Sequence, residues 1–100
     1  MELFQLRSFQ AVAQAGNLTR AAEGLHLSQS ALSVQIRNLE DELGVELFTR
    51  QAKGMRLTAA GESLLPHAEG ILEKSSEMGR AAMGLRGDVC GSLNIGLNTD

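Results

Sequence analysis

The chain reads as a mainly α protein: three short helices, a two-stranded hairpin, then one long helix. Three observations predict this. Apolar residues recur at helical spacing in four separate stretches, capping residues and glycines punctuate them, and strict apolar–polar alternation is confined to short runs, two of them around Gly54.

The first helix is predicted over about Glu2 to Ala15. Leu3, Leu6, Phe9, Val12 and Ala13 form its apolar face, and Gly16 supplies a stop. Asn17 or Leu18-Thr19 opens a short second helix with Ala21, Ala22 and Leu25 inward, ending at Gly24-Leu25-His26. Two adjacent alanines there point to close approach of a neighbouring helix. The third helix runs from Gln29 to Leu43. Ser28 is a good N-cap because its hydroxyl can accept a free backbone N–H, and Gly44 ends the helix. Leu32, Ile36, Leu39 and Leu43 make one apolar stripe.

The segments "VELFTR" and "GMRLT" flank "QAK" and both alternate, which predicts a hairpin with Gly54 easing the turn. Phe48 and Leu57 should face the core. Thr58 caps the fourth helix, predicted over Ala59 to Leu85. Along it Leu64, Ala68, Ile71, Ser75, Met78, Ala82 and Leu85 follow a heptad seam, widened by Leu65, Leu72 and Gly79. Such a stripe either packs on its own domain or pairs two subunits; pairing is the stronger expectation, which makes this a dimerisation helix. Pro66 removes one ladder bond, so a kink is expected in the early turns. "GLRGDVCG" then reads as a glycine-punctuated hinge. "SLNIGLNTD" alternates like a strand, and a lone strand forms no sheet, so a second domain is expected to begin there.

One hundred residues hold one small domain, or one domain plus an appendage, and 43% apolar composition allows a core. The chain has one cysteine and no signal-like opening, which fits a reducing, cytoplasmic setting. No apolar run reaches membrane-spanning length. The net charge of −3 argues weakly against a nucleic-acid partner. Its distribution argues otherwise. Residues 1–58 carry six basic and six acidic residues, whereas residues 59–100 carry three and six. From Leu47 to Thr58 there are three basic residues and no acid. A local basic patch matters more to a phosphate than the total does.

The third helix has two unlike ends. Gln29, Ser30, Ser33 and Arg37 make up a polar face of its first turns, with Val34 at the edge of their face. These are groups that can meet base edges or phosphate near a helix N-terminus, and Val34 can touch a thymine methyl. The acids Glu40, Asp41 and Glu42 come later; Glu40 is roughly 10 Å beyond Ser33. One end can dock on DNA while the other stays outside the groove. The element order suits a winged helix-turn-helix, its third helix in the major groove and its hairpin on backbone.

The residues that carry this reading resemble the N-terminal domain of the LysR-type transcriptional regulators. The likeness runs through "LRSFQAVAQAGNLTRAAEGLHLSQSALSVQIRNLEDELGVELFTR" and "GMRLTAAGESLLPHA". It implies a winged helix-turn-helix over residues 1–58, with the helix-turn-helix at 18–37. A linker and dimerisation helix would occupy 59–86. A hinge and the first strand of an effector-binding domain would occupy 87–100, "GSLNIG" resembling that strand. It implies a bacterial, dimeric or tetrameric regulator of transcription that binds a pseudo-palindromic DNA operator and senses a small molecule through its second domain. The base-reading positions would be Gln29, Ser30, Ser33 and Val34. Ser30 stands where proline is frequent, and Val34 where a basic or polar residue is frequent, so contact with phosphate or guanine is reduced there. The wing would be Gln51-Ala52-Lys53-Gly54, with Arg50, Lys53 and Arg56 on backbone or minor groove, and Thr19 and Arg20 on phosphate.

Other chemistries find no support. His26 and His67 lack ligand spacing, Ser28, Ser30 and Ser33 have no oriented His/Asp set, and Cys90 has no partner thiol. Neither a cofactor, a metal nor an enzymatic activity is expected. A protein-docking module built on the same winged helix is the alternative to DNA binding; the acidic total favours it and the Arg50, Lys53 and Arg56 cluster opposes it.

Overall fold

The computed structural model describes residues 1–92. It contains α1 (Leu3–Ala15), α2 (Leu18–Leu25), α3 (Gln29–Leu43), β1 (Phe48–Gln51), β2 (Gly54–Leu57) and α4 (Ala59–Ser92). This is the expected mainly helical winged architecture.

Local chemistry fixes each helix end. The Glu2 N–H donates to Gln5 Oε1 at 2.8 Å ahead of α1, and Gly16 closes it at φ 76° with its N–H on the Val12 carbonyl. Asn17 Oδ1 accepts the Arg20 N–H at 2.7 Å and starts α2. His26 ends α2 at φ 58°, the left-handed region that a polar residue tolerates better than a branched one. Ser28 Oγ accepts the Ala31 N–H at 3.0 Å, so α3 begins where its cap dictates.

The core forms where the three helices converge. Phe9, Val12, Leu32, Leu39 and Leu47 are fully buried, and Ala21 and Ala22 let α2 approach closely. Phe9 meets Phe48 edge-to-face, ring centroids 5.6 Å apart, which joins the helical core to the wing. The Ser8 hydroxyl, sealed inside, donates to Gln35 Oε1 and ties α1 to α3.

The wing is antiparallel, pairing Phe48 with Leu57, Thr49 with Arg56, Arg50 with Met55 and Gln51 with Gly54. Phe48 is buried and Leu57 half-buried, as the alternation predicts. Gly54 departs from expectation. It closes the last strand pair, outside the two-residue turn Ala52-Lys53. It is required for another reason as well: its φ is 142°, and a Cβ there would lie 2.2 Å from the Gly16 carbonyl oxygen. That same carbonyl accepts the Met55 N–H at 2.9 Å, so the wing rests on the turn between α1 and α2.

The run from Thr58 to Gly61 sets where α4 leaves the domain. Thr58 donates its N–H to the Leu47 carbonyl at 2.9 Å and its hydroxyl to the Glu46 carbonyl at 2.5 Å. The same hydroxyl accepts the Gly61 N–H at 2.9 Å, capping the helix. Gly61 is buried, and a Cβ on it would stand 2.2 Å from the Leu47 carbonyl oxygen.

α4 differs from expectation at its far end. It continues past Leu85 to Ser92, so Gly84 to Gly91, read from sequence as a hinge, is helical and includes Cys90. A glycine costs a helix only about 1 kcal/mol relative to alanine and removes no ladder bond, so glycines weaken this stretch without ending it. Pro66 lies inside α4, which runs through it as one element. The strand read over Ser92–Asp100 lies, from residue 93 on, outside the described residues. Among the described residues no helix is long and apolar enough to cross a membrane.

Two glycines in the same helix should respond oppositely to alanine. Gly61→Ala should lower stability by about 1–3 kcal/mol or more, because backbone must move. Gly70→Ala, with open space around it, should raise stability by up to about 1 kcal/mol. Urea denaturation of both variants reads the two signs.

Candidate nucleic-acid interface

The first half of α3 presents the expected face. Gln29, Ser30, Val34 and Arg37 are exposed and Ser33 is half-buried. Val34 keeps 53% of its surface in water although nothing in the fold requires an apolar residue there. At about 100° per residue it lies roughly 170° from the mean direction of buried Leu32, Ile36 and Leu39, so it is the outermost line of the helix rather than the edge of the polar face. Thr19 and Arg20 are exposed in the first turn of α2.

The wing brings Arg50 beside this face. A cleft of about 320 Å³ separates α3 from the hairpin; Ser33 and Arg37 line it from the helix, Thr49, Arg50 and Met55 from the strands. Arg37 and Arg50 therefore share one opening. Lys53 and Arg56 lie on the other side of the wing, around a second hollow that includes Gly16. Ion pairs among the described residues join Met1 to Glu42, Lys74 to Glu77 and Arg80 to Glu73. None engages Arg20, Arg37, Arg50, Lys53 or Arg56, so these five cations are available to a polyanion.

The acids at the end of α3 divide in a way the sequence did not disclose. Asp41 is exposed. Glu42 pairs with the Met1 amino group at 2.6 Å, and that hydrogen bond raises the pKa of the ammonium. Glu40 turns back onto the wing: its Oε2 accepts the Leu47 N–H at 2.7 Å and the Phe48 N–H at 3.3 Å. It also lines the cleft with Arg37 and Arg50. Sequence reading placed Glu40 only as an acid held away from phosphate. The signal available was the sharp turn at Gly44, which folds the chain back across the helix end.

The expected dimerisation residues do not form one free stripe. Ala68 is 3% exposed and belongs to the domain's own core, with Leu64, Leu65 and Leu72 packed against it. Their inward pull comes from α1, on which the first turns of α4 rest. Ser75 is half-buried and Ile71 partly exposed. Ala82 is open to solvent, as are Met78 and Leu85 at 77% and 67%. The stripe thus serves its own domain first and is unpartnered further out. Among the described residues no cluster of side chains is arranged to hold a metal ion.

Residues 3–62 match the family described as "Bacterial regulatory helix-turn-helix protein, lysR family". The chain belongs to the LysR family. The RuBisCO operon transcriptional regulator of Allochromatium vinosum is 46% identical over 95 residues, which is 95% of this chain and 32% of that protein. The transcriptional regulator HdfR of Escherichia coli is 51% identical over 72 residues, covering 72% of this chain and 26% of that one. The match therefore spans a quarter to a third of these relatives. Among solved structures, the CbnR DNA-binding domain in complex with DNA is 43% identical, with a TM-score of 0.81 over 86% of this LysR-family chain and 99% of that one. The BenM DNA-binding domain on benA site 1 DNA is 35% identical, with a TM-score of 0.81 over 86% and 97%.

The cap of α3 should matter for both stability and the site. Ser28→Ala should cost about 1 kcal/mol, and amide hydrogen exchange should quicken in the first turn, from Gln29 to Leu32, before it does elsewhere in the helix.

Proposed function

We propose that residues 1–58 are a sequence-specific DNA-binding domain of a cytoplasmic transcription regulator. α3 enters the major groove, the wing grips the backbone, and α4 links and dimerises two copies. The observation that carries this reading is the shared cleft. Ser33 and Arg37 of α3 and Arg50 of the wing line it together, a disposition suited to base edges next to phosphates. The DNA-bound CbnR and BenM domains support it by likeness of fold and sequence. Gln29, Ser30, Ser33 and Val34 read bases; Thr19, Arg20, Arg37, Arg50, Lys53 and Arg56 hold backbone. The outer turns of α4, with Met78, Ala82 and Leu85, join the two copies, together with the exposed edge of Ile71. Two such domains meet successive major grooves about 34 Å apart on a pseudo-palindrome. A small-molecule effector acts through a further domain, outside this interface.

Binding sites selected from random duplex DNA, followed by affinity measured against salt, test the reading. A dyad consensus and a steep salt slope are expected. A folded, dimeric chain with salt-insensitive or absent binding would favour a protein partner instead. Arg50→Ala and Lys53→Ala should weaken all DNA alike and flatten the slope, whereas Gln29→Ala and Ser33→Ala should cost about 1–3 kcal/mol on the selected site and little elsewhere. Val34 has its own probe. Replacing each thymine of the site by uracil removes one methyl, and one position per half-site should lose about 0.8 kcal/mol. That loss should vanish in Val34→Ala.

Charge placed on the outer turns of α4 should separate the copies without unfolding either. Met78→Glu with Leu85→Glu should raise the dimer dissociation constant by at least tenfold in sedimentation equilibrium. Helicity of the winged domain should be kept, since both side chains are solvent-facing in the single chain.

A further inference from the structure

We infer that Glu40 is a positioning residue for DNA binding: its carboxylate fixes the angle of the wing relative to α3. The inference rests on the DNA-binding reading above. The two DNA-facing elements are joined along the chain by Gly44-Val45-Glu46-Leu47, a short turn whose far end is anchored by buried Leu47 and Phe48. One oxygen of Glu40 braces that turn against α3 by accepting both Leu47 N–H and Phe48 N–H, at 2.7 and 3.3 Å. The base of β1 is thereby held by the C-terminal part of the helix whose N-terminal half faces the groove.

The leverage is large. From Leu47 to the wing tip the strand rises about 15 Å, so a tilt of roughly 10° at the base moves Lys53 by about 2.6 Å. That is enough to lose a hydrogen bond to phosphate. Thr58 on the Glu46 and Leu47 carbonyls and the buried Leu47 and Phe48 side chains anchor the base to the core, and Met55 N–H on the Gly16 carbonyl at 2.9 Å holds the second strand; among the described residues only Glu40's hydrogen bonds run from α3 itself to the wing.

Electrostatics gives the inference a sign. Glu40 lines the cleft with Arg37 and Arg50. A negative charge there opposes an approaching phosphate, so deleting it should tighten binding if charge were its whole effect. Positioning predicts the reverse.

The test is a mutant cycle on the full chain, read by fluorescence anisotropy with the selected duplex over a range of salt, with circular dichroism and melting temperature on every variant. Glu40→Ala should stay folded, bind at least tenfold more weakly and lose as much salt slope as the Arg50→Ala/Lys53→Ala double variant. Adding Glu40→Ala to that double variant should cost little more, because the wing's contacts are already gone. Glu40→Gln keeps an acceptor at the same reach without the charge and should restore most of the affinity. Should Glu40→Ala fail to fold, Glu40→Asp takes its place, retaining the charge and retracting the oxygen by one methylene; weakened binding with a lowered slope is again expected. Unchanged or tighter binding, full additivity with the wing variant, or a Gln variant as weak as Ala overturns the inference. If the wing double variant itself leaves affinity and slope unchanged, the failure lies in the DNA-binding role of the wing, and the inference falls with it.

Discussion

The peptide of Leu47 is the constraint on which the rest of this structure depends. Its side chain is fully buried, its N–H is taken by Glu40 of α3, and its carbonyl is taken by Thr58 at the start of α4. Gly61 packs so close to that carbonyl that no side chain fits between. One residue therefore joins three elements with different tasks: the helix proposed to face the groove, the hairpin beside it, and the long helix that leaves the domain. A buried backbone group without its partner costs about as much as a lost hydrogen bond, so this junction is held by energy as well as by shape. The three elements cannot be re-aimed one at a time.

Seen from this junction, the two unlike ends of α3 have separate work. The first two turns carry small side chains that leave the backbone accessible. The last turns carry an acid that reaches back to the wing, an acid that takes the Met1 ammonium, and a glycine that ends the helix. Distance from the proposed docking end explains why acids can be tolerated there, but not why one of them faces the cleft. The hydrogen bonds of Glu40 supply that second reason.

How much was legible in the sequence follows from the range of each interaction. The helix limits other than the far end of α4 were legible, because Asn17, Ser28 and Thr58 cap through bonds spanning three residues and the left-handed ends at Gly16 and Gly44 are set by the same local chemistry. The hairpin was legible from alternation. The roles of Gly54 and Gly61 were not, because what forbids a side chain there is a carbonyl 38 residues away for Gly54 and 14 for Gly61. Ala68 shows the same limit from another side. A heptad seam specifies a buried stripe without naming the partner, and here α1 claims its first turns. The exposed polar residues at the tip of α3 were legible as a face; their relation to Arg50 was not, since it depends on the angle set at Leu47.

The division of α4 has a consequence for geometry. Its first turns are fused to the domain by Thr58, Gly61 and Ala68, so its direction is fixed relative to α3. Its outer turns, with Met78, Met83 and Leu85 exposed, carry apolar surface that no other described residue covers. In the proposed dimer, where a second copy covers it, the distance between the two proposed recognition helices is set by two rigid junctions and one helix pairing, with no flexible linker between them. Spacing between half-sites then becomes a property of the junction at Leu47 as much as of the dimer seam. A change that softened the junction would blur the preferred spacing while leaving each domain able to read its own half-site.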